Sequence, residues 1–425
     1  MEIEIICTGD EVLTGKIVNS NFSFIAQRLE DYGLPVVRGL TVGDNREELL
    51  SAFLGAGSRA DYVIVNGGLG PTVDDLSQEI AAKAAGVELE LRPEWIERME
   101  RHFARRGRTM SENNRKQAML PVGAELLDNP IGTACGFAVT IGRARFFFTP
   151  GVPREMRRMV EEQIVPRILE REGDQGVIIL KRFHSYGLGE SHVDNLLTGI
   201  EAMVPDGSLK LGFRAHYPQL ETKLTVRAAS AEEARRKLEP VEAEIRSRIG
   251  NFILAEDDET LEGNVLGALA AKGHTLSVVE DYTGGQIAAR LTALPGCEQV
   301  FDRGIVALTR LNKKQLFDLD AALVERGICL EMAATLAGQV RRQAGSSHGL
   351  AVLVDAGPEN EAGNLTGAIF IALATPEGLV TRESTLTGLR AWVRLGTVEM
   401  GLDSVRRHLA GLSLEDRTDF ERRPA

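Results

Sequence analysis

The run Asp61-Tyr62-Val63-Ile64-Val65-Asn66 breaks directly into Gly67-Gly68-Leu69-Gly70-Pro71-Thr72-Val73-Asp74-Asp75, and Leu76, Ile80, Ala81 and Ala84 then recur at helical spacing. A short apolar strand that stops at paired glycines and restarts as a helix points to an open α/β sheet, with its loops at the carboxyl ends of the strands. The same rhythm surrounds it. Segment 2–8 reads as a buried strand ending at Gly9 and Asp10, a helix spans about 20–32 up to Gly33, and Val36 and Val37 begin another extended stretch. Residues 46–57 are helical in pattern, and FFFTPG at 146–151 is a strand with its exit loop. Met156, Met159, Val160 and Ile164 mark an amphipathic helix that Pro166 kinks. This alternation predicts a parallel sheet with helices on both faces.

The rhythm fails at 171–176. Extended stretches at 177–183, 209–214 and 221–228, with helices at 190–202 and 231–248, describe a small α+β unit. An acidic junction at 256–259 leads into a second α/β region over 260–396, extended at 275–279, 303–307, 349–354 and 367–374. The predicted domains are therefore 1–172, 173–255 and 256–412, with 413–425 a charged flexible tail.

Charge and composition exclude several classes of function. A net charge of −12 opposes non-specific nucleic-acid binding, and the middle region has no GxxG flanked by basic residues, so no nucleic-acid partner is expected. Cys7, Cys135, Cys297 and Cys329 are too scattered for a zinc site or a disulfide framework. MEIEIICTGD lacks the basic and apolar regions of a signal peptide, and no apolar run is long enough to span a bilayer. The expectation is a cytoplasmic protein without membrane contact.

At the glycine run, backbone N–H groups can approach an anion and the following helix N-terminus favours negative charge. Two adjacent carboxylates repel bare phosphate, but suit a divalent cation placed between them and phosphates. The alternative, a tight turn with Thr72 or Asp74 as N-cap, stays open at this point. Thr8-Gly9-Asp10-Glu11 follows another strand, with Gly15 and Asn21 beyond it, and Asp44 follows a third. Three strand ends carrying small or acidic residues imply one shared cleft.

TGDEVLTGKIVNSN at 8–21, GDN at 43–45 and GGLGPTVDD at 67–75 resemble the molybdopterin-binding domain of MoaB and MogA. NNRKQAMLP at 113–121, NPIGTACGF at 129–137 and FTPGVPREM at 148–156 resemble the version of it found in the CinA family. The resemblance implies a three-layer α/β domain with a parallel-rich sheet. It also implies a phosphorylated ligand: a pterin in the wider family and, in CinA proteins, ADP-ribose, hydrolysed with a metal to AMP and ribose 5-phosphate. Carried onto this chain, the acidic pocket is Asp44, Asp74 and Asp75, with Asp74 and Asp75 holding Mg²⁺ or a transition-metal ion. Gly67, Gly68, Gly70 and Thr72 form the phosphate loop, and Thr8, Gly9, Asp10, Glu11 and Asn21 share the pocket. Asn113 and Lys116 are placed to neutralise a phosphate oxygen or, equally, to be polar helix surface. Pro150-Gly151 and Pro153 read as a rigid loop, and Glu155 either reaches the site or caps the next helix. A homodimer is implied by the family.

VVEDYTGGQIAARLTALPG at 278–296, FDRGIVALTRLNKKQL at 301–316 and GLAVLVDAGP at 349–358 resemble the nicotinamide mononucleotide deamidase domain at the CinA C-terminus. Its motif Glu-Ser-Cys-Thr-Gly-Gly is here Glu280-Asp281-Tyr282-Thr283-Gly284-Gly285, so Asp281 replaces the nucleophilic serine. Leu308 replaces the catalytic tyrosine, Lys313 is retained, and Asp355 stands in a turn that is normally uncharged. The second domain is therefore expected to lack deamidase activity and to pair Asp281 with Lys313, with Thr283 or Thr309 as the remaining candidate hydroxyls. The functional alternatives are a nucleotide- or pterin-binding protein without turnover, or a residual amidase.

Overall fold

The structure is a computed structural model that describes residues 1–172, 176–414, 416 and 418–420. The chain forms two compact units, one of residues 1–179 with 228–231, the other of residues 180–227 with the described residues from 232 onward.

The first unit is built on a six-stranded sheet. Its strands are β1 (Ile3–Thr8), β2 (Val36–Val42), β3 (Tyr62–Asn66), β4 (Glu125–Leu127), β5 (Gly136–Ile141) and β6 (Ala144–Thr149), in the order β2-β1-β3-β6-β5-β4. The first four in that order are parallel, and β5 and β4 extend the sheet antiparallel. β1 and β3 are buried at every residue, which is why they read as continuous apolar runs. Ile3, Ile5 and Cys7 face one side with Ile25 and Leu29 of helix α1 (Ser20–Asp31). Ile6, Val63 and Val65 face the other, against Leu49 and Phe53 of α2 (Arg46–Arg59) and Ile80 of α3 (Ser77–Ala85). This alternation produces the three layers. Asn19 caps α1 through the Phe22 N–H, and Asn45 caps α2 through Glu47 and Glu48.

The expected kink at Pro166 is a wide turn. The helix Pro153–Met159 passes through a π segment, Val160–Ile164, where the Val165 N–H bonds the Val160 carbonyl. The wider turn accommodates a proline ring that would otherwise press on the carbonyl four residues earlier.

The second unit contains one further sheet and nearly all of another. The smaller has the order β8-β9-β7-β10, from β7 (Val177–Tyr186), β8 (Leu209–His216), β9 (Gln219–Ala228) and β10 (Ile253–Glu256), with α4 (Ala231–Ile249) following β9. The larger consists of β11 (Leu276–Glu280), β12 (Phe301–Val306), β13 (His348–Ala356), β14 (Asn364–Ala374) and β15 (Leu379–Leu389), in the order β12-β11-β13-β14-β15. It carries α5 (Leu261–Ala271), α6 (Leu330–Ala344) and α7 (Arg390–Ala410). The sequence pattern did not reveal β15, whose buried Arg382 and Ser384 alternate with exposed polar residues.

Within the second unit the middle region packs on the C-terminal region. Tyr217 stacks on Trp392 with ring centres 5.2 Å apart, and its hydroxyl donates to the Trp392 carbonyl. The C-terminal segment also departs from expectation. Asp416 accepts from Arg407 at 2.7 Å, and Asp419 accepts from the Gly189 N–H at 2.6 Å. Phe420 meets Tyr217 edge-on. Short acidic residues find partners there, Arg407 buried and Gly189 only partly so, which composition alone does not disclose. Residues 415, 417 and 421–425 of the expected flexible tail lie outside the described residues. No helix among the described residues is long and apolar enough to cross a membrane.

Candidate functional site

A cavity of about 620 Å³ opens at the carboxyl ends of the parallel strands of the first unit. Thr8, Gly9 and Glu11 reach it from β1, Asp44 from β2, Asn66 to Thr72 with Asp74 and Asp75 from β3, and Pro150 to Pro153 and Glu155 from β6. The sequence placed these segments in one cleft, and the structure brings them together.

The glycine loop is shaped by close approach. Gly67 and Gly68 have φ of 116° and 68°, and a Cβ on them would overlap the Thr8 and Ser77 hydroxyls. The Gly67 N–H is committed to the Thr149 carbonyl at 2.9 Å, so this glycine orders the strand end instead of meeting a ligand. The N–H groups of Gly68, Leu69 and Gly70 have no acceptor among the described residues. Asp75 closes the loop, with Oδ2 accepting from the Thr72 N–H at 2.8 Å and from its hydroxyl at 2.6 Å. The segment is a tight turn, but neither Thr72 nor Asp74 caps the following helix, whose N-cap position is Leu76 with no side-chain cap; Asp75 closes the turn instead.

The 3₁₀ helix Glu112–Ala118 braces that loop. Gln117 donates to the Leu69 carbonyl at 3.1 Å and Lys116 to the Thr72 carbonyl at 2.5 Å. Lys116 therefore supports the loop from outside, and Asn113 is exposed and does not line the cavity. The inward residues are Asn114 and Gln117, hydrogen-bonded to each other. Their three-residue separation is the signal for a 3₁₀ turn, and it was overlooked in favour of the charged neighbour.

Asn66 was overlooked as well. Its Nδ2 donates to the Thr149 hydroxyl and the Pro150 carbonyl, and its Oδ1 accepts from Asn21 Nδ2 at 2.9 Å. Asn21 Nδ2 also donates to the Gly151 carbonyl at 2.7 Å. These amides fasten α1, β3 and β6 around the cleft. Thr8 is 6% exposed, and its hydroxyl has no hydrogen-bond partner.

The carboxylates gather on one side. Asp10 and Asp44 each accept a hydrogen bond from the other's backbone N–H. Burial pushes the Asp44 carboxyl above its ordinary range, and the charges of Asp10, Glu11 and Asp74 push it further, against the Asp10 hydrogen bond that lowers it. No lysine or arginine among the described residues pairs with Asp10, Glu11, Asp44 or Asp74. Hard oxygen donors with uncompensated charge suit a divalent cation, and Asp74 with the second oxygen of Asp75 supplies such donors. No three acidic, histidine or cysteine side chains among the described residues form a ready-made metal cluster. Asp74 and the second oxygen of Asp75 could supply two ligands of such an ion, leaving the others to phosphate oxygens and water.

In the second unit Asp281 and Lys313 form an ion pair at 3.0 Å, with side chains 4% and 0% exposed. The other Asp281 oxygen accepts from the Tyr282 and Val354 N–H groups. Burial raises the Asp281 carboxyl, and Lys313 draws it back down. Neither candidate hydroxyl is free. Thr283 is buried and donates to Glu280 at 2.6 Å, while Glu280 also accepts from the first turn of the helix Gln286–Thr292. Thr309 caps the helix Arg310–Phe317 through Asn312. Leu308 is 66% exposed, and Asp355 is exposed at the end of β13.

A glycine loop and an acidic pocket at the ends of parallel strands, in a three-layer unit, define an α/β protein with a domain of the molybdopterin-binding type. Residues 4–170 match the probable molybdopterin binding domain, 181–255 the damage-inducible protein CinA KH domain, and 258–409 the CinA C-terminal domain. The KH match was not legible from the strand pattern. The chain is 38% identical to a CinA-like protein of Shewanella sediminis over 99% of both chains, and 38% identical to one of Shewanella halifaxensis over 97% of this chain and 96% of the relative. It is 33% identical to the solved CinA protein of Thermoplasma acidophilum over 38% of this chain and 94% of that one, with a TM-score of 0.35. The chain belongs to the CinA-like protein family.

Proposed function

We propose that the first unit hydrolyses the pyrophosphate of ADP-ribose or a related nucleotide, giving AMP and ribose 5-phosphate, with a divalent cation bound. The observation that carries this reading is Asp44: a cavity-lining carboxyl raised by burial and by three neighbouring acids, with no basic partner. Such perturbation is typical of groups that move protons. The Gly68, Leu69 and Gly70 amides are suited to hold phosphate oxygens as charge grows on them. A water oxygen bonds to one phosphorus, the bridging P–O bond breaks, and its electron pair leaves with the other phosphate. The water proton passes to Asp44. The ion, held by Asp74 and Asp75, would neutralise phosphate charge.

A second reading, binding of a nucleotide or phosphorylated pterin without turnover, is favoured by one observation: Asp75 already spends one oxygen on Thr72. One experiment separates them. The full chain is incubated with ADP-ribose and with other nucleoside diphosphate sugars, in Mg²⁺, in Mn²⁺ and in EDTA. Formation of AMP only with metal supports hydrolysis. Saturable binding without products supports the second reading and overturns the first.

A further inference from the structure

Three histidines from distant parts of the chain meet at the amino end of the larger sheet of the second unit. His274 lies in the turn between α5 and β11, His348 opens β13, and His408 is in the last turn of α7. The His348 ring centre is 4.9 Å from that of His274 and 5.7 Å from that of His408. His348 is 1% exposed, and its Nδ1 meets the Ser347 hydroxyl at 2.8 Å. That hydroxyl donates to the Thr275 carbonyl at 2.9 Å, so His348 Nδ1 carries the hydrogen that joins the two side chains. The ring is thus a neutral donor, and a further proton would charge it. His274 Nδ1 is buried without a partner. The surroundings oppose added positive charge. Arg341 beside His348 and Lys272 beside His408 are cations, and the acid opposing them, Glu377 in the turn between β14 and β15, is exposed. Burial lowers His348 from 6.5 to about 4, with His274 and His408 acting in the same direction, and burial lowers His408 as well.

We infer that His274, His348 and His408 form an acid-sensitive latch that holds the end of α7, and the C-terminal segment beyond it, against the rest of the second unit. The three do not part equally. The His274 and His348 segments are tied together, since the His348 N–H donates to the Thr275 carbonyl and Ser347 and Thr275 exchange backbone and side-chain bonds. His408 is held by the packing of its helix and by the bond from Lys272 to the Leu409 carbonyl at 2.8 Å. A proton on His348 puts a positive charge between two further imidazoles and beside Arg341, and the last turn of α7 is the piece that can move away. That turn leads to Asp416, held by Arg407, and to Asp419, which accepts from the Gly189 N–H and meets His192 at 3.0 Å. Acid thereby frees the segment from the turn that opens the helix Glu190–Leu196. A base whose value is depressed by folding stabilises the fold fully above its unfolded value, and that contribution is lost as pH falls from 6.5 towards about 4.

The test is hydrogen–deuterium exchange of the full-length protein at pH 7.5 and at pH 5, read as protection after correction for the intrinsic pH dependence of exchange. In the wild type, residues 405–414 should lose protection by about 30-fold at the lower pH, while β11 and β13 keep theirs. That factor is the gain at pH 5 for an opening that returns His348 from about 4 to 6.5. His348→Asn keeps a donor for the Ser347 hydroxyl and cannot take a charge, so its loss should be about threefold or less. His408→Gln changes a half-buried position, removes the outer imidazole, and should also lose less protection than the wild type. Unchanged protection in the wild type, a loss spread evenly over the second unit, or a loss as large as that of the wild type in both variants overturns the latch.

Discussion

Asp10 and Asp44, at the ends of neighbouring parallel strands, each hold the other's backbone N–H with a carboxylate oxygen, both at 3.1 Å. The exchange locks two loops at the mouth of the cleft and puts two negative charges side by side. Asp44 carries the consequence, with its carboxyl raised above the usual range. A raised pKa in the folded state means stability that is complete below the unfolded value and is lost as pH rises through the folded one. Metal-free protein should therefore lose some stability as Asp44 ionises. Asp44→Asn keeps an oxygen for the Asp10 N–H and should remove that loss. Melting curves from pH 3.5 to 7 check this, and the two proteins should diverge toward neutral pH. Curves that run parallel across the range contradict it.

Thr8→Val should separate binding from folding. The Thr8 hydroxyl is buried without a partner, and valine has the same shape. Removing an unsatisfied hydroxyl is neutral or stabilising, whereas removing one that bonds a ligand costs about 1 kcal/mol, or roughly fivefold in affinity. Thermal melts should show an equal or higher Tm, and titration with pyrophosphate should show the weaker binding. A lower Tm with unchanged affinity would make Thr8 a structural residue.

Asp75→Asn should leave the glycine loop in place, because an amide oxygen accepts the same two bonds from Thr72. It removes charge that would help hold a cation. Turnover of ADP-ribose should fall about 10- to 100-fold, with partial recovery at high Mg²⁺. Activity equal to wild type at low Mg²⁺ would exclude Asp75 as a ligand.

The Asp281–Lys313 pair should behave as a structural element. Lys313→Met leaves a buried carboxylate unpaired and should cost about 3–5 kcal/mol in denaturant unfolding, while Asp281→Ala with Lys313→Met should cost less than the single change. Ammonia release from nicotinamide mononucleotide should not exceed a no-enzyme control, since Thr283 and Thr309 are committed to Glu280 and Asn312. Release that disappears in Lys313→Ala would show a working amidase.

The sequence announced the parallel strands of the first unit, because strands buried on both faces are unbroken apolar runs, as β1 and β3 are. It also announced the cleft, since Thr8, Asp44 and Gly67 to Asp75 sit at strand ends that topology must bring together. It did not announce β15 or β5, the former half polar and the latter beginning inside NPIGTACGF, a segment read only for its resemblance. Pairings between distant residues were illegible for a simpler reason. Nothing local shows that Asn129 will clamp Glu155, that Gln117 will reach Leu69, or that Asp419 will return to Gly189. Those contacts are decided by packing, and they correct the roles given to Asn113 and Lys116.

The central claim is that a raised carboxyl at residue 44 drives phosphoanhydride hydrolysis in this cleft. The most direct measurement is steady-state AMP formation from ADP-ribose by wild type and Asp44→Asn in Mg²⁺, with Tm recorded on the same samples. The prediction is turnover in the wild type that EDTA abolishes, a loss of about 100-fold or more in the variant, and a variant Tm at or above that of the wild type. Turnover that survives EDTA, or an Asp44→Asn protein as active as wild type, would contradict the account.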